Sequence, residues 1–511
     1  MVFQPKSAFW QEGPMIMEGV PPMEREASRA WSFVSAPGLH PMKVKINVKK
    51  QGTAQGLIFT APYAAYGEPF AGQTGALIMD QNGNPVWFRP LDSRYIQNTD
   101  FKVQEYKGEP VLTLWQGTIS GTQSADSNLP GGDPEPGACY QIIDRHYNII
   151  EQLWAQKDFT ADVHEFTVTG RNTALFTAIC QVPSDLSSYE GPSRGFIDNY
   201  SIQEVDIETG KLLFFWDVLA HVDPADSMVP AASSEDTNNI WDCFHVNSVE
   251  EGSGDTLLVS MRNMWAIYCV DKGTGKILWQ LGGKKSDFTF GPNASFSWQH
   301  DARYLSDDRI SLFDDACCAS GTSRPQGPAR GLVLKLDFRN RLAWTYRTYY
   351  HDPLLYVASQ GNVQTLYNKN RFIGWGQKPY ASEFSQEGNL SREPSESLLY
   401  DMEFPESNMT YRAFKCKWTG QPLCPPSIAV KEGQSGTSIY ASWNGSTETA
   451  AWQVLAGPAC NRLSTIVQST PKTGFETRID VNSMGPYFRV NALTACGKVI
   501  GRSNIVKPAR K

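Results

Sequence analysis

The chain has 511 residues and a formal charge of −7. No Lys/Arg run interleaved with aromatics occurs, which argues against nucleic acid as a partner. No stretch approaches eighteen consecutive apolar residues, so no membrane span is expected.

Residues 1–41 read as an N-terminal extension. Met1 to Met23 holds Lys6, Glu12, Glu18 and several prolines, and lacks the apolar core of a secretory signal. From 42 to 420 one unit recurs. An acidic residue closes a hydrophobic strand and opens a turn into an aromatic-bearing strand at Asp80, Asp144, Asp206, Asp271, Asp337 and Glu403, at steps of 62 to 66 residues. So even a period marks one supersecondary unit used six times. The copies run from Lys43 to Pro90, Phe101 to Trp154, His164 to Trp216, His245 to Gly282, His300 to about Tyr349 and about Gly361 to Cys416. The first looks complete without a strand lent from later in the chain.

The fourth copy shows the unit best. Leu257, Val259 and Met261 alternate against Leu258 and Ser260 as a pleated strand requires. Lys272 to Gly275 then turns tightly, because glycine tolerates the positive φ such hairpins need. Four antiparallel strands in each of six copies predict an all-β, six-bladed β-propeller. Trp87, Trp154, Trp216, Trp279 and Trp344 are expected to pack between blades.

Residues 421–511 change character. A proline-rich entry, a strand with Trp443, another over Ala450 to Leu455 and a Tyr487-containing strand suggest a small fibronectin type III-like β-sandwich, a packing module without chemistry of its own. Cys416 with Cys424, and Cys460 with Cys496, are expected as disulfides, and Cys317 and Cys318 as able to pair elsewhere. With sequons at Asn199, Asn293, Asn389, Asn408 and Asn444, they favour a secreted glycoprotein over a cytoplasmic chain. No Cys or His spacing supports a metal site.

Three of the seven histidines fall at one address. His164, His245 and His300 each begin the first strand of a copy, and Arg262 closes the second strand of the fourth. In a propeller this places three imidazoles and a guanidinium at one mouth of the central channel. Such a ring suits a tetrahedral oxyanion: Arg offers a planar fork of donors, and His can act as acid, base or nucleophile. Asn247, two residues beyond His245, faces the same side in a regular strand. Trp115 with Gln116, and Trp375 with Gln377, are candidates for holding an aromatic ligand.

Four short strings carry a resemblance: Phe-His-Val-Asn-Ser-Val from Phe244, Val-Ser-Met-Arg from Val259, Gln-His-Asp-Ala from Gln299 and Ile-Ser-Leu-Phe-Asp from Ile310. In order and spacing they resemble the arylsulfotransferase family, over roughly Gly75 to Trp418. Trp279 to Asp287 and Phe296 to Arg303 look like its eukaryotic, chiefly fungal, branch. The resemblance implies transfer of a sulfuryl group from an aryl sulfate to a phenol through a sulfohistidine. His300 matches the nucleophile, and His245, Arg262 and His164 match the positions that hold and neutralise the sulfate. No nucleotide donor or other cofactor is implied, and the glycine-lysine turns at Gly273 and Gly282 lack phosphate-loop spacing. The insert between Cys180 and Asn199 and the C-terminal sandwich depart from the bacterial pattern. A propeller that binds a phenolic or anionic molecule, or shapes a cyclisation in secondary metabolism, is the alternative, and an inert scaffold the third.

Overall fold

The computed structural model describes residues 29–508 apart from 65–69, 93–95, 119–136, 232–238, 318–326, 389–396, 406, 434–435 and 484. The acidic marker of the repeat is a turn-forming device. Asp80 Oδ1 accepts the backbone N–H of Asn82 (2.8 Å) and Asn84 (2.9 Å), and Asp144 does the same for His146 and Asn148. Asp271 takes the N–H of Thr274, and Asp337 those of Arg339 and Asn340. A short carboxylate that satisfies its own turn fixes where the third strand ends and the fourth begins. Glu403 differs, because Lys45 and Asn47 of an added strand reach it instead.

The chain is all-β. Six sheets follow one another; the second to the sixth each hold a four-stranded antiparallel meander of consecutive strands, and the first is built of strands from both ends of the region. The second begins with Ile96–Tyr106, the third with Thr160–Val168, the fourth with Val246–Gly252, the fifth with His300–Ser306 and the sixth with Asn362–Thr365. From the second sheet to the sixth, successive first strands lie against one another. Apolar side chains fill the space between neighbouring sheets. Leu258, Ile267 and Leu281 of the fourth sheet, for example, pack on Leu312, Leu332 and Leu334 of the fifth. Each such buried side chain contributes about 1.5–3 kcal/mol. Trp87, Trp216 and Trp279 are buried in these interfaces, whereas Trp154 is half exposed (49%) just after an outermost strand, Ile149–Leu153.

The first sheet is not complete in itself, contrary to the sequence reading. Its strands Leu57–Thr60, Gly75–Met79 and Pro85–Pro90 are joined by Phe414–Cys416, which pairs with Leu57–Thr60 and lies beside the sixth and second sheets. In exchange, Lys45–Lys49 adds to the outer edge of the sixth sheet by pairing with Leu398–Glu403. Two separate crossings therefore tie the beginning of the repeat region to its end.

Beyond it, Ser427–Gly433, Gly436–Ser442 and Glu476–Val481 form one sheet, and Arg462–Pro471, Ala451–Ala459, Tyr487–Leu493 and Val499–Arg502 another. They share a core of Ile439, Trp452, Val454, Phe488 and Val490. Asn444 fastens this unit to the first sheet, accepting the Phe88 N–H and donating to the Phe88 carbonyl, both at 2.9 Å. Cys416, Cys424, Cys460 and Cys496 are free thiols, so neither expected disulfide forms. Cys416 ends the strand that completes the first sheet and receives Gln364 Nε2 (3.5 Å), while Cys424 is exposed. Among the sequons, the side-chain nitrogens of Asn199, Asn408 and Asn444 are committed to Asp217, Ala71 and Phe88. Asn293 is exposed, and Asn389 and Cys318 lie outside the described residues.

Candidate active site

Strand side chains alternate faces, so a strand can aim several groups at one point only where its pairing slips. The first strands of four consecutive sheets do slip. The ladder breaks between Thr99 and Lys102, Ala161 and Phe166, Val246 and Ser248, and His300 and Arg303. Among the residues released are Asp100, the run Asp162 to Glu165, Asn247 and Asp301. Asp100 and Asp301 stand at φ 51° and 56°, and His245, just ahead of its strand, at 53°. His164 thus sits within a bulge, not at a strand start as expected.

The three imidazoles converge. The His164 and His245 ring centres are 4.8 Å apart, and those of His245 and His300 6.3 Å. Each ring turns Nδ1 to an aspartate: His164 to Asp162 (2.9 Å), His245 to Asp242, and His300 to Asp315 (2.8 Å). The His164 and His245 side chains are 11% and 12% exposed, and that of His300 is 1%, so His300 is the most deeply buried of the three. Burial drives His300 well below the ordinary histidine range, and the nearby Arg262, His245 and His164 add to the effect. Burial also lowers His245, against the pull of Asp242. Burial alone would raise Asp162, but His164 and the Thr177 hydroxyl bring it below the usual carboxylate range.

Arg262 joins this group. Its backbone N–H donates to the His245 carbonyl (2.9 Å), its guanidinium lies 4.6 Å from the Trp298 ring centre, and Nη2 donates to the Ala358 carbonyl (3.0 Å). Two residues on, the Gln360 N–H donates to His300 Nε2 (3.2 Å). Gln360 is held there at φ 74°, with its side-chain oxygen taken by the Tyr63 hydroxyl (2.5 Å). Arg262 Nε, Asp242 Oδ1, Asp315 Oδ1, Asn247 Oδ1, Ser359 Oγ and Trp298 Nε1 are buried without a protein partner. Folded proteins leave few such atoms, so this concentration marks a place suited to polar ligand atoms.

Glu165 and Asp301, the chain neighbours of His164 and His300, belong to an ionic hub drawn from different sheets. Arg412 donates to Asp100 (2.9 Å), Glu165 (3.1 Å) and the Asn247 carbonyl (2.8 Å). Lys102 reaches Asp100 and Glu165, and Arg303 reaches Glu165 and Asp301. Burial would raise Glu165, but Arg303, Lys102 and Arg412 together force it far below the usual range.

A sequence model of the arylsulfotransferase family matches residues 134–395, just over half of the chain and all four of His164, His245, Arg262 and His300. The chain belongs to the arylsulfotransferase family. No curated protein matches it. Similar solved structures include a protein of unknown function from Bacteroides caccae (11% identity, 71% of this chain and 99% of that one, TM-score 0.37). The Myceliophteria thermophila Cps50 (Swd1) beta-propeller domain is another (10%, 79% and 97%, 0.33), as is apo AztD from Citrobacter koseri (11%, 71% and 100%, 0.28). Similarity at that level carries no conclusion about this chain.

Around this cluster of the arylsulfotransferase-family chain the remaining expected residues fall unevenly. Asn247 is fully buried on a bulge, so the alternation expected of a regular strand does not hold there, and its Nδ2 donates to the Gln299 carbonyl (2.7 Å). Trp115 and Trp375 are fully buried in separate apolar cores, with indole N–H groups given to the Ala161 carbonyl and Ser382. Neither presents a face to a ligand. Gln116 is engaged with Asn98 (3.3 Å), and Gln377 is half-buried beyond the end of Arg371–Gly374. Sequence reasoning missed Asp162, Asp242, Asp315, Gln360 and Arg412. Asp162 and Asp242 lie two and three residues before their histidines but outside the strings set out above, whereas Asp315 and Arg412 act across longer stretches of chain and Gln360 through its backbone N–H.

Proposed function

We propose that this chain transfers a sulfuryl group from an aryl sulfate ester to a phenol through a sulfurylated His300, without a nucleotide sulfate donor. In this reading the six sheets are the blades of a β-propeller spanning residues 42–420, after a 1–41 extension and before a fibronectin type III-like sandwich at 421–511. The observation that carries it is the state of His300. Burial holds its pKa well below the ordinary histidine range, its Nε2 accepts the Gln360 N–H, and the buried Arg262 guanidinium adds to the lowering.

The Nε2 pair attacks sulfur in line, and the aryl oxygen leaves with the bonding pair. Arg262, His164 and His245 stabilise the charge on the sulfuryl oxygens. The Gln360 N–H, released when Nε2 bonds to sulfur, turns to one of those oxygens. In the second displacement the acceptor phenol oxygen attacks sulfur and the N–S pair returns to Nε2. The phenolic proton passes to neutral His245 and from there to the next departing aryloxide. Steady-state kinetics with a chromogenic aryl sulfate and a phenol should be ping-pong. Strict dependence on a ternary complex would refute this sequence of steps.

One observation favours the alternative, a propeller that binds a phenolic or anionic molecule without covalent chemistry: the His300 lone pair is already engaged and almost fully buried. Tight binding of phenols with no sulfuryl adduct from several aryl sulfates would support it. Export, suggested by the cysteines and sequons, now rests on Asn293 among the described sequons.

A further inference from the structure

His300 Nδ1 lies within reach of two acceptors, Asp315 Oδ2 at 2.8 Å and the Trp298 carbonyl at 3.1 Å, while Nε2 faces one donor, the Gln360 N–H. A neutral imidazole satisfies all three only with its proton on Nδ1. The other tautomer would set N–H against N–H and a bare nitrogen between two oxygens. The Trp298 carbonyl alone would favour the same tautomer, so the carboxylate must add something else. Burial pushes the Asp315 carboxyl well above the usual carboxylate range, against the pull of Arg262, and what the carboxylate adds is the charge drawn out when the ring 2.8 Å away becomes cationic. Asp315 is fully buried beside Asp314, yet the two have separate partners, since Asp314 is taken by Arg330 (2.9 Å) and the Ser297 N–H (3.0 Å).

The same contact recurs at the other two histidines, but from unrelated positions. The aspartate stands two residues before His164, three before His245 and fifteen after His300. A contact inherited with the repeat would keep one spacing. Three spacings that reach one geometry point to a requirement of the imidazoles themselves.

Resting on the sulfuryl-transfer reading, we propose that Asp315 is the positioning residue of the nucleophile, fixing His300 as the Nδ1–H tautomer and balancing the charge its ring gains when sulfurylated. As the N–S bond forms and the S–O bond to the aryl oxygen breaks, the ring becomes cationic with its proton still on Nδ1, facing Asp315 Oδ2. When the acceptor oxygen attacks, the N–S pair returns to Nε2 and the ring is neutral again. The carboxylate takes no proton at either stage. An amide in its place keeps the shape, removes the charge and competes as a donor for Nδ1.

The test compares wild type, Asp315→Asn and Asp315→Glu in single turnovers with 4-nitrophenyl sulfate, with near-UV circular dichroism to confirm folding. A second readout is the ring tautomer of His300 from 15N-histidine spectra. Asp315→Asn should slow adduct formation by on the order of 10²–10⁴-fold with KM changed only a few-fold, and Asp315→Glu should recover at least about tenfold. A folded Asp315→Asn protein within about threefold of wild type in rate, with the same 15N pattern, overturns the proposal. Wild type that forms no adduct refutes sulfuryl transfer itself; the tautomer comparison alone then decides whether Asp315 orients His300. Should Asp315→Asn not fold, a proton on Nε2 instead of Nδ1 in wild type overturns the proposal.

Discussion

A histidine that attacks as a nucleophile must be unprotonated, and burial secures this for His300 at a pH where a free imidazole would begin to charge. Protonation of Nε2 removes the attacking pair, so adduct formation should fall on the acid side, and the fall should lie below the ordinary value of 6.5. A pH series of single-turnover rates checks this; an acid limb above 6.5 would contradict it. Stability has the same sign. The unfolded chain takes up protons on His245 and His300 as pH drops through 6.5 while the folded chain does not, so acid should destabilise the fold from there downward. Arg262→Ala should slow transfer by on the order of a hundredfold, with Arg262→Lys recovering only part of it because the planar fork is lost. At this scale the sequence displayed the three histidines and Arg262 by their shared position in the repeat. It did not display their aspartates, because Asp242 and Asp315 stand at unlike spacings and Gln360 acts through its backbone.

Elements explain why those residues meet. Period-two alternation located the strands correctly but failed at Asn247, since the bulge between Val246 and Ser248 turns it towards the next sheet. Bulges leave no composition signal here: Asp100, His245 and Asp301 occupy positive-φ positions without a glycine to mark them. The strand exchange was hidden for a related reason. Phe414–Cys416 is only three residues long and its partner lies more than 350 residues earlier in the chain. That short return also delivers Arg412 to the buried hub. Arg412→Ala leaves Asp100 and Glu165 buried with fewer compensating charges, and should destabilise the protein by about 3–5 kcal/mol in urea titrations. A loss under about 1 kcal/mol would mean that Lys102 and Arg303 suffice.

At the scale of the whole molecule the succession of similar sheets was legible in the period of the chain. Of the acidic residues that end the third strands, all but Glu403 cap their own turns, and such a cap recurs where the unit recurs. The contact between the repeat region and the C-terminal unit was not legible, because it is made by long-range hydrogen bonds, such as those of Asn444 and Gly445 with the backbone of Phe88 and Val86. Asn444→Ala leaves the Phe88 backbone pair partly unsatisfied and should cost about 1–3 kcal/mol, with faster proteolysis of the segment joining the two parts. Unchanged proteolysis and stability would show that the remaining contacts hold the unit alone. The central claim is that His300 carries the sulfuryl group between two phenols. Its most direct test is to quench wild-type protein with excess aryl sulfate and no acceptor, and to locate any sulfuryl group by peptide mass spectrometry. The account predicts one group per chain, on His300, discharged by added phenol and missing from His300→Ala; a group on another residue, or none while the aryl sulfate is still consumed, would contradict it.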